Sequence, residues 1–343
     1  MGALTNYYVD PAINANSGAG TIGDPYGDLQ YALDTITRDA TNGDQINVKA
    51  GTDEVLTGVL SFASYGTPSL TAPLVIRGYT TAANDGGRGV IDGNGGACVA
   101  SLRDLHLIDM EFKNGGSSNL VTLGAQGSIT DCKVSDTSGI GINAANSFNF
   151  VIRCEITDCG TGIGTSSSSR IYGCYLKAGS IRNFTIAINN SSSAIDIIRN
   201  IISLGTSGTG ISSPSSGARR NFVANNSILA NGSDGFGIDI VNAARAEAAI
   251  YLNNIVEGFT GSGGASFNFR TATIPATMFE GNASYNSATH YLNMGDAEKI
   301  YNGIDNETLS ASPFVKSGSD TFANRFAYFA PVDTGNVRGG AIQ

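Results

Sequence analysis

The 343-residue chain contains no tryptophan, two histidines and only 14% charged residues, with 20 Lys and Arg against 29 Asp and Glu. A nucleic-acid-binding surface needs clustered positive charge, and the longest basic run is Arg219-Arg220. No apolar run approaches the ~20 residues of a membrane-spanning helix. These shortages predict a protein that binds neither nucleic acid nor a membrane.

Cysteine is also sparse, and targeting signals are absent from the start of the chain. The five cysteines are an odd number without paired C-x-x-C spacing, so we expect neither a disulfide framework nor a zinc site. The opening "MGALTNYYVD" lacks the charged and apolar regions of a signal peptide. The sequence therefore predicts a protein made in the cytoplasm that acts in a virion or, after release, outside the cell.

Glycine is abundant, 45 of 343 residues, and a short motif recurs. It reads "LIDMEF", "ITDCKV", "VIRCEI", "IYGCYL" and, later, "YLNNIV", with 20 to 28 residues between successive copies. Its anchor positions are Met110, Cys132, Cys154, Cys174, Asn200, Asn226, Asn254 and Asn282. A second, Gly-rich series lags behind the first. Two registers with one slowly growing period indicate a solenoid.

Within each motif the apolar pattern has a period of two, which is typical of strands. In "IRCEI" it predicts Ile152, Cys154 and Ile156 on the inner side and Arg153 and Glu155 on the outer side. A coil of this length holds about three short strands, and parallel strands stack at ~4.8 Å. The anchors are then buried rungs, whose Asn amides hydrogen-bond along the stack. The predicted fold is all-β, a parallel β-helix.

The N-terminal region predicts a cap for the first coil. "DPYGDLQYALDTI" places Leu29, Ala32, Leu33 and Ile36 at helical spacing, which predicts a capping α-helix over 28–38. The predicted organisation is an N-terminal strand and capping helix in 1–43, the parallel β-helix in 44–285 and an irregular C-terminal cap in 286–343.

Several segments carry a family resemblance. The order "YYVDPAINANSGAGTIGDPYGDLQYAL", "GDQINVKAGT", "APLVIRGY" and "GVIDGNGG" resembles the N-terminal portion of pectate-lyase-like right-handed parallel β-helix proteins. The closing "DTGNVRGGAIQ" loosely resembles their terminal segment. The resemblance implies a right-handed coil and a polysaccharide partner. Because that superfamily includes lyases, hydrolases, epimerases, phage tailspikes and catalytically silent adhesins, the fold does not settle the function.

Two functions therefore stay open. The first is a polysaccharide-binding protein that acts as a lyase on an acidic glycan. The second is a non-catalytic virion protein, such as a tailspike, fibre or head decoration. Tailspikes of this fold commonly act as trimers, so this alternative predicts a homo-oligomer.

The missing residue types exclude some of the enzyme classes that the resemblance allows. Polygalacturonase-type hydrolases use Gly-His-Gly and Arg-x-Lys, and neither His106 nor His290 has that setting. The Trp-x-Asp-His signature of the main pectate lyase family cannot occur without tryptophan. What remains is a lyase with a lysine base and an arginine beside the C5 proton, often with calcium.

Two outward columns beside the anchors supply candidates for that chemistry. The resemblance implies that Arg153 holds the substrate carboxylate and that Lys133 is the base. Asp109, Asp131 and Glu155 would hold Ca²⁺ or sugar hydroxyls. The remaining predicted substrate-binding residues are Glu111 and Tyr175.

A second interpretation of the same columns stays open. Glu111, Lys133 and Glu155 alternate in charge, and such a ladder on a sheet surface keeps the face soluble and contributes little stability. The two glutamates also favour the protonated form of Lys133, which opposes its use as a base.

Overall fold

The computed structural model describes residues 3–13, 16–165, 168–191, 194–213, 221–240, 250–269, 277–292, 300–302 and 307–308. The chain divides into two compact units, Met1–Cys154 and Glu155–Gln343. Within the described residues, no helix has both the length and the apolar character needed to cross a membrane.

The first unit contains two parallel sheets. The strands of one sheet pair in the order Thr5–Val9, Asp44–Lys49, Leu74–Tyr79, Leu105–Ile108, Ser128–Thr130 and Phe150–Ile152. The strands of the other pair in the order Asp53–Val55, Gly89–Asp92, Met110–Lys113 and Lys133–Ala144. Val121–Thr122 pairs with the far end of Lys133–Ala144. The four coils between residues 44 and 144 therefore each contribute one strand to each sheet.

The second unit has three strands per coil, again parallel. The first sheet runs Arg170–Tyr172, Asp196–Ile198, Phe222–Ala224, Ile250–Leu252, Thr277–Glu280 and Ile300–Asn302. The second runs Glu155–Thr165, Tyr175–Lys177, Ile201–Ser203, Ser227–Leu229, Ile255–Glu257, Ala283–Tyr285 and Glu307–Thr308. The third runs from the far end of Glu155–Thr165 through Ile186–Asn190, Thr209–Ser212, Phe236–Ile240 and Ala265–Phe269 to Thr289–Leu292. Because parallel crossovers are right-handed, each unit is a right-handed parallel β-helix, which confirms the predicted fold class.

A single residue in the left-handed conformation turns the chain at the corner before each anchor. In the first unit these are Asp109, Asp131 and Arg153, with φ of 53°, 55° and 50°. The bend corrects one prediction: Ile152 ends its strand half-exposed and does not share the inner side with the buried Cys154. The period-two pattern stops at the corner, because a left-handed residue reverses which side the next residue faces.

The anchors are buried rungs, as predicted. In the first unit Cys132 and Cys154 are 1% and 0% exposed, and the Cys132 Sγ accepts a hydrogen bond from the Met110 amide at 3.4 Å. In the second unit four asparagines form an amide ladder, with Nδ2 to Oδ1 distances of 2.9 to 3.0 Å. Its members are Asn200, Asn226, Asn254 and Asn282.

The capping helix is present and shorter than predicted. It spans Leu29–Thr35, and the side chain of its N-cap residue, Asp28, accepts a hydrogen bond from the Tyr31 amide at 2.6 Å. Leu29 and Leu33 are fully buried, as the helical spacing predicts. The helix ends early because the backbone becomes extended at Ile36, with φ −64° and ψ 125°.

Parallel pairing continues past residue 285. The described strands Thr289–Leu292, Ile300–Asn302 and Glu307–Thr308 each pair with the preceding coil. Most of the predicted C-terminal cap, from 309 onward, lies outside the described residues. The predicted boundaries at 43 and 285 stay a prediction.

Candidate functional site

The first unit brings five of the predicted site residues together at one corner of its coils. We call this group the charged corner: Arg77, Asp109, Glu111, Asp131, Lys133 and Arg153. Asp109, Asp131 and Arg153 are the turn residues described above. Glu111 and Lys133 follow two positions later and are paired in register on adjacent strands. Stacked coils thus place like positions on successive rungs.

Both arginines of the charged corner are held by carboxylates. The Arg153 guanidinium donates to both Asp131 oxygens, from Nε at 2.8 Å and from Nη2 at 2.6 Å. Arg77 donates to Asp109 Oδ2 from Nη2 at 2.8 Å and from Nε at 3.1 Å. The hydrogen bonds that Arg153 donates to Asp131 raise the pKa of Arg153. Asp131 occupies the Nε edge of the Arg153 guanidinium, so a substrate carboxylate could bind only the remaining Nη donors.

The lysines of this region are ion-paired too. Lys133 Nζ lies 2.9 Å from Glu111 Oε1, and Lys113 Nζ lies 2.6 Å from Asp53 Oδ2. The hydrogen bond to Asp53 raises the pKa of Lys113. Proton abstraction by Lys133 would need a neutral amine. The Glu111–Lys133 contact is one pair of the alternating-charge ladder. The ladder as a whole and the catalytic assignment of Lys133 and Arg153 stay predictions.

The other two predicted residues lie in the second unit. Glu155 begins the strand Glu155–Thr165 and is paired in register with Tyr175. Tyr175 is 1% exposed, so its ring has no free face for a sugar. We therefore leave Tyr175 out of the candidate site.

The predicted calcium ligands do not form a cation site by themselves. Asp109 and Asp131 each already accept hydrogen bonds from a guanidinium, and Ca²⁺ needs six to eight oxygen ligands. In the part of the chain that the structure describes, no three His, Cys, Asp or Glu side chains are grouped so that they could hold a metal. Ca²⁺ binding stays a prediction.

The second unit carries a groove that sequence reasoning missed. Its volume is about 570 Å³, and it follows the carboxyl ends of successive strands in the second sheet. We call it the strand-end groove. Lys177, Ser203, Leu229 and Glu257 are its register-paired strand ends, one from each of four stacked coils. Asn286 lines the groove from a fifth coil.

The wall of the strand-end groove is rich in neutral hydrogen-bonding groups. The amides are Asn183, Asn231 and Asn286, and the hydroxyls are Ser203 and Thr260. Amides both donate and accept hydrogen bonds, and so do hydroxyls. Among the described residues that line the groove there is no aromatic side chain. The groove can therefore bind a polar ligand through many neutral hydrogen bonds.

The glycines that line the groove leave space that side chains would otherwise fill. Gly258 has φ of 91°, and a Cβ there would lie 2.0 Å from the Ala230 carbonyl oxygen. A Cβ on Gly205 would lie 2.3 Å from Asn183 Oδ1. Glycine is the residue that permits a positive φ and such close approach. The signal that could have revealed the groove is a glycine one to three residues after each strand end, together with Asn and Ser.

A smaller, acidic cavity lies beside the capping helix in the first unit. It has a volume of about 350 Å³ and is lined by Asp28, Asp34 and Glu54, among others. Glu54 is 5% exposed and accepts a hydrogen bond from the Leu29 amide at 3.3 Å. Burial, with the nearby Asp28 charge, raises the pKa of Glu54 to about 7. This carboxyl therefore titrates near neutral pH.

Comparison with known proteins places the fold. No family model matches the chain, and no curated protein sequence matches it. Among solved structures it is similar to pectate lyase Pel9A, with 16% identity over 97% of this chain and 90% of that chain and a TM-score of 0.67. A rhamnogalacturonan lyase is similar at 13% identity over 99% of this chain and 100% of that chain, with a TM-score of 0.69. The fold is that of pectate-lyase-like parallel β-helix proteins.

A third similar solved structure is XylC in complex with xylose. It is 10% identical over 92% of this chain and 88% of that chain, with a TM-score of 0.56. At these identities the pectate-lyase-like resemblance establishes the architecture, and activity has to be argued from the chain's own residues.

Proposed function

We propose that this chain binds a polysaccharide along the strand-end groove. The observation that carries the proposal is the course of the groove across stacked coils. Five strand levels give four spacings of ~4.8 Å, or roughly 19 Å in all. The spacing of ~4.8 Å between stacked strands is close to the length of one sugar residue in an extended glycan. Each coil can therefore present one strand end to each successive sugar.

The lining of the groove supports this ligand class. Asn231 and Asn286 offer both donors and acceptors, and Ser203 adds a hydroxyl. Sugar hydroxyls also donate and accept, so they pair well with amides and hydroxyls. The solved relatives include pectate and rhamnogalacturonan lyases and a xylose complex, so proteins of this architecture recognise carbohydrate.

Cleavage of an acidic glycan at the charged corner is the finer prediction. It requires Lys133 to act as a base beside Glu111 and Arg153 to bind the substrate carboxylate through the donors that Asp131 does not use. An absorbance rise at 235 nm on polyuronates would reveal such a lyase. A role in a virion and a trimeric state remain alternatives. Sedimentation of the purified protein tests the trimer, and an assay of virions for this chain tests the virion role.

A blocking variant tests binding in the groove. Ala178 lines the groove and is half-buried, so Ala178→Tyr would place a ring in the space for the sugar. Ser135→Tyr is the matched control, because Ser135 is a half-exposed strand position of the first unit. We expect a glycan panel to retain binding in the parent and in Ser135→Tyr and to lose it in Ala178→Tyr. Equal binding by all three proteins would contradict the proposal.

A further inference from the structure

Resting on the proposed function, we infer that the strand-end groove recognises every second sugar of an extended glycan through the side-chain amides of Asn231 and Asn286. The ligand class is a chain joined through equatorial bonds, in which each ring is turned over relative to the ring before it. Such a chain presents the same hydroxyl edge on alternate sugars. A chain with axial bonds coils instead, and its edges do not recur in this way.

The polar groups of the groove that are free to bind a ligand are neutral. Asn231, Thr260 and Asn286 line the groove, and all three are exposed. Among the described residues, none hydrogen-bonds to these three side chains. Lys177 and Glu257, by contrast, are engaged in interactions of their own. Recognition therefore falls to the two amides and the hydroxyl, and not to the charged side chains.

The two amides come from alternate coils. Asn231 follows the strand Ser227–Leu229, and Asn286 follows the strand Ala283–Tyr285. The strand Ile255–Glu257 pairs in register with both and lies between them. Two spacings of ~4.8 Å put the amide-bearing turns roughly 10 Å apart, which is two sugars at one sugar per coil. An amide carries a donor and an acceptor side by side, so each one can bind two neighbouring hydroxyls of one sugar.

The coil between the two amides leaves room for the sugar that is turned over. Its strand is followed by Gly258, which has no side chain, and the exposed Thr260 hydroxyl can bind the other edge of that sugar. A further exposed amide, Asn183, lies against Gly205, with its Oδ1 2.3 Å from where a Cβ would stand. Asn183 comes from a later point of its turn, so it contacts a sugar at the end of the groove and stands outside the repeat.

Titration calorimetry with two sets of hexasaccharides tests the inference. The equatorial set is cellohexaose, mannohexaose and xylohexaose, and the axial set is maltohexaose and a galactan hexasaccharide. Cellohexaose and maltohexaose both consist of glucose alone, so this pair differs only in its linkage. We expect the parent to bind the best member of the equatorial set at least about tenfold more tightly than either axial ligand. Ala178→Tyr, which blocks the groove, should abolish this binding.

Two variants remove the amides and leave the groove open. They are Asn231→Ala and Asn286→Gly, and because Asn286 has φ of 47°, glycine keeps its conformation. Each variant should weaken binding of the best hexasaccharide by about tenfold through lost hydrogen bonds. The double variant should weaken it by about a hundredfold, because separate contacts to one ligand multiply. The matched control is Asn253→Gly, since Asn253 has φ of 52° and does not line the groove; it should change affinity by less than about twofold.

The corresponding disaccharide tests whether the two amides bind different sugars of one ligand. It is too short to reach both amides at once. Asn231→Ala or Asn286→Gly alone should therefore weaken its binding by only about twofold, because the other amide remains available. A loss for the disaccharide as large as the loss for the hexasaccharide would contradict recognition of alternate sugars.

The outcomes distinguish this inference from the proposed function. Axial ligands that bind as tightly as the equatorial set, and that Ala178→Tyr blocks, overturn the recognition of alternate sugars and leave polysaccharide binding intact. Hexasaccharide affinity that is unchanged in Asn231→Ala and Asn286→Gly also overturns it. Binding of no oligosaccharide by the parent overturns the proposed function itself.

Discussion

We expect Asn226→Ala to lower the free energy of unfolding by about 4 kcal/mol, at about 1 kcal/mol for each of four hydrogen bonds removed. Asn226 Oδ1 accepts from the Asn200 amide and from Asn200 Nδ2, both at 3.0 Å. Its Nδ2 donates to the Ile197 carbonyl at 3.0 Å and to Asn254 Oδ1 at 2.9 Å. The side chain is fully buried, so water cannot replace these partners.

The assay is urea unfolding followed by circular dichroism, with Asn225→Ala as the matched control. Asn225 is the neighbouring corner residue, with φ of 56°. Its replacement loses only the tolerance of asparagine for that conformation, about 1 kcal/mol. A loss below about 1 kcal/mol for Asn226→Ala, or a loss equal to that of Asn225→Ala, would refute the stabilising role of the amide ladder.

Three further predictions concern stability and reactivity. The pKa of Glu54 is raised to about 7 from 4.5, so the stability that its protonated form contributes is fully present below pH 4.5 and is lost as pH rises through 7. Thermal unfolding of the parent across this range should show a loss of stability of at most about 3 kcal/mol. Glu54→Gln should remove this dependence on pH. A variant with the same pH dependence as the parent would contradict the burial of Glu54. Gly258→Ala should destabilise the second unit by at least about 2 kcal/mol, because the new Cβ meets a backbone carbonyl at positive φ. Gly51→Ala is the control, because Gly51 has φ of 102° with open space around it. Equal losses of stability in the two variants would show that only the backbone conformation matters. Burial raises the pKa of Cys132 to about 12, so iodoacetamide should modify it in the folded protein at least about a hundredfold more slowly than in urea; rapid labelling of the folded protein would contradict the buried rung.

The sequence predicts the fold well, because a solenoid repeats the same physical requirement in every coil. Buried Cys132 and the Asn200-to-Asn282 ladder recur at the predicted anchors. The turn at Arg153 was not predictable from the period-two pattern, because a polar residue is compatible with both an extended strand and a left-handed corner. The misplacement of Ile152 followed from that ambiguity.

The candidate site was less predictable than the fold. The sequence showed that Asp131 and Arg153 share a face, and their mutual ion pair depends on side-chain geometry that spacing cannot give. The strand-end groove depends on how the residues after each strand fold back. Gly258 and Asn231 mark such turns in the sequence, yet glycine is common throughout this chain. Only the stacking of the coils shows that these turns leave one continuous groove.

The most direct test of polysaccharide binding along the coils is the dependence of affinity on oligosaccharide length. Titration calorimetry with a neutral ligand series, on the parent and on Ala178→Tyr, measures it. We predict that affinity for the parent rises with each added sugar and levels off at about four or five sugars, the number of stacked strand levels that fit one sugar each at ~4.8 Å. Affinity independent of length, or a length dependence that Ala178→Tyr leaves unchanged, would contradict binding along the strand-end groove.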